Sequence, residues 1–229
     1  MNDNIDLKAQ AAERALGFLE GVRLLGLGTG STADQFTRRV AELYRAGELG
    51  DLLVVPTSRE TANLADELGI PLTTLDEHPE LDLTVDGADE VDPQLNLIKG
   101  LGGALTREKI VAHASRRFAV IVDEGKRVER LGTRGPVPIE LLAFGRGPVE
   151  RALQERGAAL SWRSQGTELF ATDEGNLILD AAFAGGVGDP TELNGWLNGL
   201  PGVVEHGLFL GMADAVVVAA ASGVEVLQR

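Results

Sequence analysis

The chain has 229 residues, 44% of them hydrophobic and 24% charged, enough to bury a substantial core in one large domain or one domain with a smaller insert. Thirty-five acidic against 21 basic side chains leave a formal charge of −14, a field that repels DNA and sets nucleic acid aside as a partner. The absence of cysteine excludes disulfides, thiolate metal sites and cysteine catalysis, and fits a cytoplasmic setting.

The start, Met1-Asn2-Asp3-Asn4, is polar and shows no signal-peptide pattern. Residues 6–20 read as an amphipathic helix, with Leu7, Ala11, Ala15 and Phe18 at helical spacing. Val22–Leu27 reads as a buried strand and leads into the glycine-rich turn Gly26–Thr32. A helix is predicted from Ser31 to Ala46, with Ser31 or Thr32 as its N-cap. Leu52–Val55 is a strand, Ser58–Leu68 a helix closed by Gly69, and Pro71–Leu75 and Leu81–Val85 two further strands. Thr106–Arg116 is a helix and Phe118–Val122 an almost wholly apolar strand. Strands alternating with helices predict an α/β fold, an open, mostly parallel Rossmann-like sheet covered by helices on both faces.

Gly, Pro and charge mark a boundary at 127–138, so 1–130 and 206–229 are assigned to the Rossmann-like domain and 131–205 to a smaller lid or interface subdomain. That stretch reads as a strand (Val137–Phe144), a helix (Pro148–Arg156), strands near Leu160–Arg163, Glu168–Ala171 and Asn176–Asp180, a helix (Pro190–Asn198) and a strand near Val203. The turn Thr172–Gly175 joins a hairpin. This order is close to a split β-α-β, ferredoxin-like α+β arrangement. Leu208–Leu210 and Ala215–Ala220 are expected to rejoin the first sheet. The most apolar run, Ala215–Ala221, is too short to span a bilayer, so no membrane partner is expected.

Three segments hold residues suited to chemistry. Gly28-Thr29-Gly30-Ser31-Thr32 opens a helix, where free N–H groups and the dipole attract an anion and the hydroxyls add donors. It is neither a Walker A loop nor a full dinucleotide fingerprint, and a plain capping turn would look the same. Asp86-Gly87-Ala88-Asp89-Glu90 packs three carboxylates beyond a strand, where ligands bind in open sheets. Mutual repulsion would raise at least one pKa, although a solvated acidic turn shares the pattern. Lys99–Lys109 joins a lysine to a glycine-rich turn and a helix start, with Thr106 as cap and Glu108 in the first turn. A lysine entering such a turn is suited to neutralising an oxyanion. His78, His113 and His206 have no metal-ligand spacing and suit surface or helix-face positions, and Trp162 and Trp196 read as packing residues.

Six segments together resemble the type A ribose-5-phosphate isomerase family: Gly26–Thr32, Val55–Ser58, Val85–Glu90, Ile98–Lys109, Gly135–Glu140 and Pro201–Leu210. They occur in the family's order and span nearly the whole chain. The resemblance implies an aldose-ketose isomerase of the non-oxidative pentose phosphate pathway that interconverts ribose 5-phosphate and ribulose 5-phosphate through a cis-enediolate. It implies Glu108 as the base, Asp86 and Asp89 at ring opening and the O1/O2 protons, and Lys99 beside the enediolate charge. It places substrate against Thr29, Gly30, Ser31, Thr32, Asp86, Gly87, Ala88, Asp89, Lys99, Gly100, Leu101, Gly102 and Lys126. Leu101 interrupts the family's glycine run, and if its side chain points away from the sugar its N–H still serves; Asp123 and Glu124 make the stretch before Lys126 unusually acidic. No metal, no cofactor and a cytoplasmic homodimer or homotetramer are further implications. A non-catalytic sugar-phosphate sensor and a nucleotide-dependent enzyme remain rival readings of the same turn.

Overall fold

The computed structural model describes the backbone of residues 2–229 and the side chains from Leu7 onward, so Met1 of the polar start lies outside the described residues. The first elements are helix α1 (Asn2–Ala15), strand β1 (Leu24–Leu27), helix α2 (Ser31–Arg45), strand β2 (Leu53–Pro56), helix α3 (Arg59–Glu67) and strand β3 (Leu83–Asp86). Short strands β4 (Glu90–Val91) and β5 (Leu97–Ile98) precede helix α4 (Leu105–His113) and strand β6 (Phe118–Asp123). Next come β7 (Val137–Leu141), α5 (Arg146–Glu155), β8 (Ala159–Trp162), β9 (Ser164–Gln165), β10 (Glu168–Leu169), β11 (Leu177–Ala182) and α6 (Pro190–Asn198). The last are β12 (Val203–His206), β13 (Leu208–Phe209), β14 (Ala215–Ala220) and β15 (Gly223–Gln228).

Two compact units result. The first holds the chain through Ala88, with Arg107–Lys126 and Met212–Arg229; the second holds Asp89–Thr106 and Arg127–Gly211. These bounds differ from a division at 131–205, because β13 pairs with β5 (Leu208 with Ile98, Phe209 with Leu97) and so ties Asp89–Thr106 to the second unit.

The first unit is a six-stranded sheet in the order β15-β14-β6-β3-β1-β2, parallel except for the β14–β15 hairpin. Side chains alternate across it. Leu25, Leu27, Val85 and Ile121 share one core cluster with Ala11, Ala15, Phe36, Val40 and Ala65 of α1, α2 and α3. Burying each of the large side chains contributes about 1.5–3 kcal/mol. Gly26 turns to the other face, where a Cβ would lie 2.0 Å from Thr84 Oγ1 and 2.7 Å from Val111 Cγ1. Its missing side chain lets α4 lie against the sheet. The expected α/β sheet, with helices on both faces, is thus present.

The second unit is built on an antiparallel sheet in the order β12-β7-β11-β8, with α5 and α6 contributing Val149, Leu153, Leu193 and Leu197 to one core. This is the split β-α-β arrangement expected for the segment. The Thr172–Gly175 turn closes as a hairpin, with Thr172 N–H donating to Asn176 O at 2.9 Å. Trp162 and Trp196 pack at this core, and the guanidinium groups of Arg146 and Arg156 lie 4.8 and 4.3 Å from their rings.

Several expectations are corrected. Pro71–Leu75 is not a strand: Leu72 makes a single bridge to Val54, Pro71 has no N–H with which to extend a ladder, and the chain then turns. Leu208–Phe209 joins β5 rather than the large sheet, held there by Lys99 N–H to Gly207 O at 2.9 Å and Gly207 N–H to Pro138 O at 2.8 Å. Neither Ser31 nor Thr32 caps α2, since Gly30 holds that position at φ 107°. Thr106 does not cap α4; it lies inside the helix and its hydroxyl donates to Glu140. His206 is not a surface residue but fully buried, with Leu208 N–H donating to Nδ1 (3.3 Å) and Nε2 donating to Asn198 Oδ1 (3.1 Å).

Asp82 braces the entry to β1, accepting N–H bonds from Arg23 (2.9 Å) and Leu24 (3.0 Å) on Oδ2. The Arg23 N–H above all holds its carboxyl below the usual carboxylate range. A carboxyl depressed in the folded state stabilises above its unfolded pKa, and that contribution is lost as pH falls through the folded value. Asp82→Asn is therefore expected to lower Tm by a few degrees at pH 7 and by progressively less below about pH 4. Thermal unfolding at pH 7 and pH 3.5 checks this, and an unchanged gap at the lower pH contradicts it.

Candidate active site

In the first unit, parallel pairing of β1 with β3 sets Leu27 beside Val85 and brings the turn after β1 against the end of β3. Asp86 is the last residue of β3 and fully buried. Its Oδ1 accepts from Thr29 N–H at 3.1 Å and from Gly87 N–H at 2.7 Å. Gly28 makes that packing possible: a Cβ there would lie 2.2 Å from Asp86 Oδ1 and 2.5 Å from its Cα.

The Thr29 hydroxyl lies within a cluster formed by Thr57 (2.7 Å), Ser58 (2.8 Å) and Thr61 (3.0 Å). Thr61 Oγ1 donates to Gly28 O, and Ser58 caps α3 through Thr61 N–H. Thr29 thus fastens the turn to the segment after β2, which explains why VPTS accompanies GLGTGST. Gly30 and Ser31 are exposed and Thr32 half-buried at the start of the 15-residue helix α2, so the first-turn N–H groups there suit an anion. Lys8 of α1 donates to Ser31 Oγ at 2.8 Å and adds a full positive charge to this terminus. Nothing near Lys8 in the chain marks it, because its neighbour is 23 residues away.

Glu108 occupies the first turn of α4 and is 5% exposed. Gly87 and Ala88 are half-buried beyond β3. Lys126 ends a short turn after β6, where buried Asp123 accepts Gly125 N–H at 3.0 Å and Glu124 is exposed. Asp123, the more distant of the two acids before that lysine, thus shapes the turn.

The remaining residues lie in the second unit. Asp89 N–H donates to Ile98 O at 2.8 Å, and Asp89 Oδ2 accepts from Leu101 N–H at 2.9 Å. The Leu101 side chain is exposed, and the N–H that would serve the sugar in the family reading donates to Asp89. Lys99 is 2% exposed, with Nζ 5.6 Å from the centre of the Phe209 ring. Gly100 (φ 99°) and Gly103 (φ 90°) need glycine twice over, since a Cβ would meet Leu105 and Phe170 at 2.6 Å. Gly102 is exposed with open space around it.

Each carboxylate of the acidic run takes its own set of donors. Asp86 serves the first unit, Asp89 the turn after Lys99, and Glu90 a third segment. Glu90 accepts N–H bonds from Gly132 (2.6 Å), Arg134 (2.8 Å) and Gly135 (2.8 Å), which organises residues 132–135. Glu140, absent from the expected residues, accepts from Thr106 (2.6 Å), Thr172 (2.8 Å) and Asn176 (2.9 Å). The unit boundary falls between Ala88 and Asp89 and again between Thr106 and Arg107, so the expected site residues are drawn from both units. Among the described residues no group of three His, Asp or Glu side chains is placed to hold a metal ion.

Comparison with known proteins gives concordant matches. Residues 53–223 match the family Ribose 5-phosphate isomerase A (phosphoriboisomerase A). The chain is 51% identical over 229 residues to ribose-5-phosphate isomerase A of Roseiflexus castenholzii, covering 100% of this chain and 97% of the relative. It is 50% identical over 234 residues to the Agrobacterium fabrum protein of the same name, covering 99% of each. Among solved structures, ribose 5-phosphate isomerase A of Methanocaldococcus jannaschii superposes with a TM-score of 0.91 at 40% identity, covering 99% of this chain and 100% of that one. A D-ribose-5-phosphate isomerase in complex with phospho-erythronic acid gives 0.94 at 41% identity, covering 98% of each.

The clearance at Gly28 generates a specific expectation. Gly28→Ala must separate β1 from the end of β3, at a cost of about 1–3 kcal/mol, and move Asp86 off its two N–H donors. Turnover should fall by about tenfold or more if that displacement reaches the reacting geometry. Denaturant unfolding and a turnover assay on the same sample check both; a variant with native stability and turnover contradicts the packing argument.

Proposed function

The chain belongs to the ribose 5-phosphate isomerase A family, and from that premise we propose that it interconverts ribose 5-phosphate and ribulose 5-phosphate through a cis-enediolate, with Glu108 as the base. The observation that carries this reading is the burial of Asp86 (0% exposed), Lys99 (2%) and Glu108 (5%). Withdrawing ionisable groups from water is costly and concentrates at sites where charge must form or move.

Each group then has a task. Glu108 takes the proton from the carbon beside the carbonyl and returns it to the neighbouring carbon. Lys99 offers a positive charge to the oxyanion that develops meanwhile. Asp86 and Asp89 accept and return the hydroxyl protons of ring opening and of O1 and O2. Gly30, Ser31, Thr32 and Lys8 receive the phosphate at the start of α2. Thr29, whose hydroxyl is tied into the cluster with Thr57, Ser58 and Thr61, supports that cradle. Gly87, Ala88, Gly100, Leu101, Gly102 and Lys126 line the substrate in the same reading. The relative solved with phospho-erythronic acid binds a short chain bearing a phosphate and a carboxylate, the two kinds of anion these positions suit. The reaction requires no metal or cofactor on this account, and the working assembly holds two or four copies.

Glu108→Gln keeps size and removes basicity, so kcat on ribose 5-phosphate should fall by about 10²–10⁴ while the fold is kept. A coupled or direct assay of ribulose 5-phosphate formation, run with chelator present, reads this. Near-normal turnover in a folded Glu108→Gln variant removes Glu108 from the mechanism.

A further inference from the structure

Arg163 follows β8 and is fixed through its own backbone, with its N–H donating to Ile178 O and its carbonyl accepting from Phe170 N–H, both at 3.0 Å. Its guanidinium forms a fork with Asp180 of β11: Nε donates to Oδ2 at 3.0 Å and Nη2 to Oδ1 at 2.5 Å. The two side chains are only 13% and 16% exposed, so the pair is shielded from solvent. Bidentate pairing of this kind fixes the plane of the guanidinium as well as its position.

The remaining arm reaches the turn after Lys99. Nη1 donates to Gly100 O at 2.7 Å and to Leu101 O at 3.0 Å. The first of these carbonyls belongs to the Gly100–Leu101 peptide, and the N–H of that same peptide donates to Asp89 Oδ2 at 2.9 Å. One peptide plane is therefore gripped on both edges, by a cation on its carbonyl side and a carboxylate on its N–H side. The series Asp180, Arg163, peptide, Asp89 runs unbroken through the second unit with charges and dipole in alternating order. Each member polarises the next, which strengthens the bond to Asp89. Gly100 is at φ 99°, a region that glycine occupies without strain, so the peptide's orientation depends on what holds it.

We infer that Arg163 is a positioning residue that sets the Asp89 carboxylate through the Gly100–Leu101 peptide. Arg163 touches no reacting atom on this account. Its influence rests on the reading of Asp89 given above and passes through a backbone group, so the identity of residue 101 is immaterial to it. Lysine is a poor substitute, because a single ammonium cannot hold both carboxylate oxygens and two carbonyls in one plane.

A double-mutant cycle tests this, with kcat and KM measured on ribose 5-phosphate for Arg163→Gln, Asp89→Ala and the pair. Arg163→Gln should lower kcat by about ten- to a hundredfold with KM within about threefold. In the Asp89→Ala background the same substitution should cost less than about twofold, because the group it positions is gone. Arg163→Lys, which keeps the charge and much of the stem, makes the same comparison should the glutamine variant not fold. Equal losses in both backgrounds overturn the inference and leave Asp89's own role standing. Full turnover in Asp89→Ala overturns both.

Discussion

A carboxylate with no exposed surface must be held by donors, and the arrangement of Asp86 is the constraint from which the first half of the site follows. Its donors are backbone N–H groups of Thr29 and Gly87, so β1 and β3 must run parallel, adjacent and in register. Gly28 must have no side chain, or the strands part. Thr29 must be anchored, and the hydroxyls of Thr57, Ser58 and Thr61 anchor it. With that turn fixed, α2 begins at Gly30 and presents its positive end beside Lys8. Strand pairing, a glycine and a hydroxyl cluster thus combine to make one buried acid and one anion cradle.

The second unit uses the same device repeatedly. Asp89 takes an N–H from Leu101, Glu90 takes three from residues 132–135, and Glu140 gathers Thr106, Thr172 and Asn176. The buried Glu90 and Glu140 and the half-buried Asp89 organise loops by satisfying backbone and hydroxyl donors that the turns expose. A chain of formal charge −14 can still serve a phosphorylated substrate. The donors at the start of α2 are first-turn N–H groups and the Lys8 ammonium, which suit an anion whatever the net charge of the chain.

The alternation of apolar strands and amphipathic helices made the parallel sheet legible, because burial on both faces leaves strands such as Phe118–Asp123 almost without polar residues. Gly223–Gln228 gave no such signal: it is an edge strand with mostly exposed side chains, formed by hairpin pairing to β14. Pro71–Leu75 had the right composition for a strand but a proline where a donor was needed. The motif residues were legible as residues but not as partners. Three carboxylates in five residues suggested mutual repulsion, whereas the fold gives each a separate set of donors. Thr106 looked like a helix cap because capping is a local rule, and a bond to Glu140 34 positions away overrode it. Lys8, Glu140, Arg163 and Asp180 went unread for the same reason: their work depends on contacts that span tens of residues.

The central claim is that Glu108 carries a proton between adjacent carbons through an enediolate. The most direct measurement is isomerisation of ribose 5-phosphate in D2O, followed by NMR of the product. A base that exchanges its proton with solvent during the enediolate's lifetime places deuterium at C1 of ribulose 5-phosphate, and the account predicts that label with the wild-type chain and its loss with Glu108→Gln. Full-rate product from a folded Glu108→Gln variant, with or without deuterium at C1, would contradict the account.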